Sequence, residues 1–223
     1  MYPGMTPQVG IARVVNDAAR HLCEGDFDGA LTDASIAVDA TAGKCYPKRS
    51  NNKRCKAFLR DNIALMLLVA TSGHLIARKG IRVPYNHPRI NLDQKGTAPL
   101  EDILYHAVRC SLLHEGGLPG NIKFSAKRAM RFATGSLELP ASLIAGLIVS
   151  VVCCPQNKRV KFAPNLRLVF GEKALPLRSL RGVGPEPAME AIREISTRSN
   201  SRPDCSGQTA GGPKRSEGRD NSA

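Results

Sequence analysis

The run Leu137–Cys154 constrains the fold more than any other stretch of this chain. It is almost wholly apolar, but Glu138, Pro140 and two serines interrupt it. Its clean part falls short of the ~20 residues that a bilayer-spanning helix needs. It is therefore expected to be a buried helix opened by Pro140 and running to Cys154, and no membrane is expected as a partner. Hydrophobic residues make up 42% of the 223, enough for one ordinary core of about 100–200 residues and not for a second full domain.

The segments that precede this run have helical period. Thr6-Pro7 supplies a cap and a first-turn proline, and Val9, Ala12, Val15, Ala19, Leu22 and Cys23 recur at helical spacing until Gly25. Asp26 caps a second helix with Ala30, Leu31, Ala34, Ala37 and Val38 inward, ending near Gly43. The short link between the two predicts an antiparallel hairpin. After a polar basic loop, Asn51 or Asn52 caps a long third helix, from Lys53 through Phe58, Ile63, Met66 and Val69 toward Ala77. Pro84, Pro88 and Pro99 then predict a loop or a short strand.

A fourth helix is expected from about Thr97, with Glu101 and Asp102 at the positive end of its dipole, stopping at Glu115-Gly116-Gly117. Asn121–Phe124 and Ala129–Leu137 read as short strands or an irregular excursion, between which composition does not decide. Arg159–Phe170 alternates apolar and basic residues and predicts a small hairpin or edge strands. Glu186–Ile195 fits a short helix, and Ser196–Ala223, rich in Gly, Ser, Arg and Pro, reads as disordered. The expected fold is thus mainly α: a helical bundle with short β or irregular excursions and a disordered C-terminal tail. Its organisation is a single domain over 1–182 (core about 8–155, hairpin-like appendage about 156–182), followed by a mostly disordered basic tail over 183–223.

Composition narrows function. Net charge is +13, from 32 Lys and Arg against 19 Asp and Glu, which favours anionic partners such as RNA. The basic stretch Lys48, Arg49, Lys53, Arg54 is positioned to track a nucleic-acid backbone. Seven cysteines form no C-x-x-C pair, so neither a zinc ribbon nor a disulfide framework is indicated, and reduced thiols fit a cytoplasmic protein. The first twenty residues lack a continuous apolar segment, so no signal peptide is read there. Gly182-Val-Gly184 makes no phosphate loop, and His21, His74 and His87 lie on separate segments. No metal and no cofactor is therefore expected.

The chemistry-bearing segment is Arg109-Cys-Ser-Leu-Leu-His114-Glu-Gly. Metal-independent RNA cleavage needs a base for the ribose 2′-hydroxyl proton, an acid for the leaving oxygen and a cation for the phosphate. Imidazole exchanges protons near neutral pH, and guanidinium grips phosphate oxygens in a fork. Ser111 is expected to add a hydrogen bond to phosphate, Glu115 to orient His114, and His106 to stand by as a second proton-transfer group. On an ideal α-helix, residues five apart differ by roughly 140° around the axis. One chain would then hold Arg109 and His114 loosely, whereas two helices about a two-fold axis could place two such pairs around one cleft.

Arg-x4-His at a helix end, followed by Glu-Gly and preceded by a helical hairpin and a long third helix that includes Asn52-Lys-Arg-Cys-Lys-Ala-Phe-Leu-Arg-Asp61, resembles the HEPN (higher eukaryotes and prokaryotes nucleotide-binding) superfamily over roughly residues 8–155. The resemblance implies a metal-independent endoribonuclease with Arg109 and His114 catalytic. It also implies a homodimer and a toxin or phage-defence role with a cognate antitoxin protein. The residue after the arginine in that motif is typically polar, and here it is Cys110. The superfamily also contains non-catalytic modules that bind a protein partner or nucleic acid, which is the alternative expectation.

Overall fold

The structure, a computed structural model, describes residues 10–73, 80–127, 129–133, 135–170 and 172–200. Helix α1 (Ile11–Glu24) starts after Gly10, and the expected cap at Thr6-Pro7 lies outside the described residues. Ile11, Val14, Val15 and Ala18 form its buried stripe at i, i+3, i+4 and i+7. Gly25, at φ 79°, ends it in the left-handed conformation that glycine adopts without a Cβ clash. Asp26 then caps α2 (Phe27–Cys45) by accepting from the Gly29 N–H at 2.9 Å. The two helices pack as the expected hairpin, and α2 runs past Gly43 to Cys45.

Helix α3 (Asn51–Ala70) has Ser50 at its N-cap position and ends well short of Ala77. Ser72 and Gly73 both take positive φ, and the Gly73 N–H folds back onto the Leu68 carbonyl at 2.8 Å, which closes the helix. Residues 74–79, on which the rest of the expected helix and His74 fall, lie outside the described residues. Strands β1 (Arg82–Val83) and β2 (Ala98–Pro99) pair antiparallel across the proline-rich loop.

The expected fourth helix is two structures. Helix α4 (Leu100–Ile103) makes one turn and passes into a π-helix over Leu104–Glu115, which ends at Gly116 with φ 75°. The excursion that follows is a three-stranded sheet: β3 (Ile122–Ser125) lies parallel to β5 (Ser136–Pro140), and β4 (Arg131–Ala133) lies antiparallel on the other side of β5. Pro140 closes that sheet and does not open the next helix, because its neighbours' backbone is still paired in strand register.

Helix α5 (Ser142–Cys153) is the buried apolar helix read from the sequence. It packs on α1, α2 and α3. At its crossing with α3, a Cβ on Gly146 would stand 2.6 Å from the Met66 carbonyl oxygen, so the two backbones touch where glycine permits it. No described helix is long and apolar enough to cross a membrane.

The hairpin lies later than the alternation predicts: β6 (Arg167–Phe170) pairs with β7 (Lys173–Pro176), and residues 158–166 are irregular. Helix α6 (Pro185–Asn200) is longer than the short helix expected and takes in Ser196. Ala188 and Ile192 are fully buried, and α6 packs on α3. Residues 201–223, most of the stretch expected to be disordered, lie outside the described residues.

Candidate active site

The π-helix determines the geometry of the Arg109/His114 pair. Its backbone bonds close i to i+5, so a residue five further on returns to nearly the same side of the axis. The roughly 140° separation of an ideal α-helix therefore does not apply. Arg109 Nη1 lies 3.3 Å from His114 Nε2 within one chain, and the geometric reason for invoking a two-fold axis is removed. A guanidinium only donates, so a hydrogen bond at this contact uses the Nε2 lone pair as acceptor. His114 is exposed at the end of the helix.

The other face of the guanidinium is occupied. Asp39, on α2, accepts from Arg109 Nε at 3.0 Å and also from Nη2. The two side chains are only 11% and 17% exposed. Burial works against the charged guanidinium, but the hydrogen bonds and charge of Asp39 outweigh it and hold Arg109 above its ordinary value. Tyr105 lies beneath, its ring centroid 5.5 Å from Arg109 Cζ. Burial pushes the Tyr105 phenol up to about 12. Cys55 of α3 stands beside Asp39, and burial first, then the Asp39 charge, push its thiol up.

The remaining expected site residues divide. Ser111 is 1% exposed within the core and does not share the surface of the pair, so it is not positioned to bond a phosphate there. Glu115 is exposed, but among the described residues no hydrogen bond joins it to His114, and its charge acts on His87 instead. His106 meets Tyr105 edge-on at 4.9 Å and stacks near His87 at 6.5 Å. Burial lowers both imidazoles, assisted by Lys56 at His106 and by Arg89 at His87. Lys56 is itself held by Asp102 at 2.7 Å.

Lys48, Arg49 and Lys53 are exposed where α2 turns into α3. Arg49 covers the Tyr46 ring at 4.7 Å. The Arg54 guanidinium lies over Gly43, one turn of α2 beyond Asp39, which is a rise of about 6 Å along the helix. Of the basic stretch, Arg54 thus stands one turn of α2 from the Arg109 ion pair. Among the described residues no group of three His, Cys, Asp or Glu side chains is placed to hold a metal ion.

Sequence reasoning missed Asp39, Cys55, Tyr105 and His87. A single aspartate beside Val38 carries no motif, and only the packing of α2 against the π-helix pairs it with Arg109. Tyr105 was legible in principle, since it sits among the apolar positions of the fourth helix.

No solved structure matches this chain. It is similar to three proteins named as uncharacterized: Rv1289 and MT1327 of Mycobacterium tuberculosis and Mb1320 of Mycobacterium bovis. Each is 30% identical over 149 residues, which cover 64% of this chain and 69% of the relative. The family model described as Rv1289 matches residues 10–200, so every helix and sheet above falls within the match, and the chain belongs to the Rv1289 family.

Proposed function

We propose that this chain is a metal-independent endoribonuclease of HEPN type, with Arg109 and His114 as its catalytic pair. The observation that carries the reading is the 3.3 Å contact between Arg109 Nη1 and the exposed His114 Nε2 on one turn of π-helix. A phosphate drawn to Nη1 takes the donor that His114 now receives, and this frees the Nε2 lone pair for a proton. His114 then accepts the 2′-hydroxyl proton or, in protonated form, protonates the leaving 5′-oxygen. Arg109 offsets charge on the pentacoordinate phosphorus. Lys48, Arg49, Lys53 and Arg54 supply phosphate contacts along the approaching strand. In this reading the pair is complete within one chain, and a homodimer sets two such pairs near one RNA. A role as a toxin adds a cognate antitoxin as partner.

The test is RNA cleavage by the purified protein in EDTA, beside Arg109→Ala and His114→Ala variants whose folding is verified by circular dichroism. Cleavage by wild type, lost by at least about a hundredfold in folded His114→Ala, is the expected result. Intact RNA in every lane, across several RNA classes, overturns it.

One observation favours the non-catalytic alternative. Asp39 engages two guanidinium nitrogens and leaves the Arg109 side chain 11% exposed, as in a tie between α2 and the π-helix. In that reading Arg109→Ala destabilises the fold, His114→Ala changes nothing, and neither alters RNA.

A further inference from the structure

Two cysteines far apart in sequence meet on the side of the bundle where α2 and α5 end. Cys45 is the last residue of α2, and Cys154 immediately follows α5. Their sulfurs lie 3.3 Å apart. Gln156 Oε1 is 3.1 Å from Cys154 Sγ and 3.5 Å from Cys45 Sγ. Both thiols line an open cleft of about 250 Å³ together with Tyr46, Asp61, Asn62 and Pro185. The backbone behind them is braced: buried Asn157 donates to Thr41 Oγ1 at 3.0 Å and to the Val151 carbonyl at 2.9 Å, and accepts from Lys44 Nζ at 3.1 Å.

The two sulfurs are chemically unequal. The Cys45 hydrogen bond, then the Gln156 and Asn157 backbone N–H groups and the Lys44 charge, outweigh burial and hold Cys154 down at about 7. The same bond, with burial, pushes Cys45 up. Cys154 is buried and Cys45 only partly so, but both line the open cleft, so a small hydroperoxide entering it meets one thiolate with one thiol in contact beside it, the arrangement that peroxide chemistry needs.

We propose that Cys45 and Cys154 form a hydroperoxide-reactive pair that closes to an intramolecular disulfide. The Cys154 thiolate attacks the distal oxygen of a hydroperoxide, the O–O bond breaks, and the leaving alkoxide takes a proton from solvent and departs as an alcohol, or as water from hydrogen peroxide. The Cys45 sulfur then attacks the sulfenic sulfur. An S–S bond forms, the S–O bond breaks, and the departing hydroxide leaves as water with the Cys45 proton. In sum, two thiols and one hydroperoxide yield one disulfide, one alcohol or water, and one water. The sulfurs need to approach by only about 1.3 Å to reach bonding distance. The proposal is independent of the ribonuclease reading, since neither cysteine touches Arg109 or His114.

The test treats the reduced full-length chain with stoichiometric hydrogen peroxide and maps its peptides without reductant, with Cys23, which is exposed, as the internal comparison. The expected product is a Cys45–Cys154 linked peptide that forms at least about tenfold faster than Cys23 oxidises. Cys45→Ser should stop at a Cys154 sulfenic acid that dimedone traps, and Cys154→Ser should form neither product. Oxidation of Cys23 ahead of Cys154, or wild-type protein oxidised without that linkage, overturns the proposal. The wild-type map decides this even if a variant fails to fold.

Discussion

Arg109 is the residue on which both functional readings turn, because its guanidinium is shared between a partly buried carboxylate and an exposed imidazole. Removing the Asp39 charge leaves the guanidinium desolvated with weaker partners. Asp39→Asn is therefore expected to cost about 2 kcal/mol in urea denaturation. A double-mutant cycle of Asp39→Ala with Arg109→Ala should return a coupling of similar size. A coupling near zero would show that the ion pair does not tie α2 to the π-helix. His87 and His106 give a pH signature. Burial lowers both, so the folded chain favours their neutral forms. The unfolded chain takes up protons first as pH falls below about 6.5, so their contribution is intact above that value and declines until the folded-state values are passed. Urea midpoints measured from about pH 8 to about pH 5 should fall on the acid side, and less steeply in a His87→Asn/His106→Asn variant. An unchanged slope in the double variant would assign the acid sensitivity to other groups.

At the scale of elements, α3 and α5 cross with their backbones in contact at Gly146. A Cβ at position 146 would meet Met66 backbone atoms at 2.6 and 2.8 Å, and backbone cannot rotate aside as a flexible side chain can. Gly146→Ala is expected to force the helices apart and to cost about 1–3 kcal/mol, despite alanine's better helix propensity. Thermal unfolding of the variant measures this, and an unchanged midpoint would mean that the crossing has slack. The elements themselves were unequally legible. Gly25 and Asp26 specify the end of α1 and the start of α2 through local sterics and hydrogen bonds, and the α1–α2 hairpin follows from them, although of the residues read at helical spacing in α1 only Val15 belongs to its buried stripe. The π-helix was not legible, because its apolar positions suit an α-helix equally well and nothing local distinguishes closure at i+5 from closure at i+4. The end of α3 was missed because a Leu/Val/Ala-rich stretch continued the periodic pattern while Ser72 and Gly73 closed the helix.

At the scale of the whole molecule, the sequence by itself determined the mainly helical class, the burial of the Ser142–Cys153 helix and the strongly basic balance. These depend on apolar periodicity, on capping and on charge count, all local or additive properties. It also singled out Arg109 and His114, but at an α-helical separation that the 3.3 Å contact on the π-helix replaces. Tertiary structure alone decided that one chain brings them together, that Asp39 and Tyr105 hold the arginine, that Ser111 is withdrawn into the core, and that Cys45 meets Cys154. It likewise decided that α6 joins the bundle, through Ala188 and Ile192, where polar composition had suggested little order. Arg109, Tyr105 and His114 meet within one π-helix, whose closure no local signal distinguishes from that of an α-helix, whereas Asp39–Arg109, Cys45–Cys154 and the docking of α6 are contacts between segments distant along the chain. Such contacts form because packing the apolar faces of α2, α3, α5 and α6 fixes where the polar groups between them must sit, and no window of neighbouring residues contains that information.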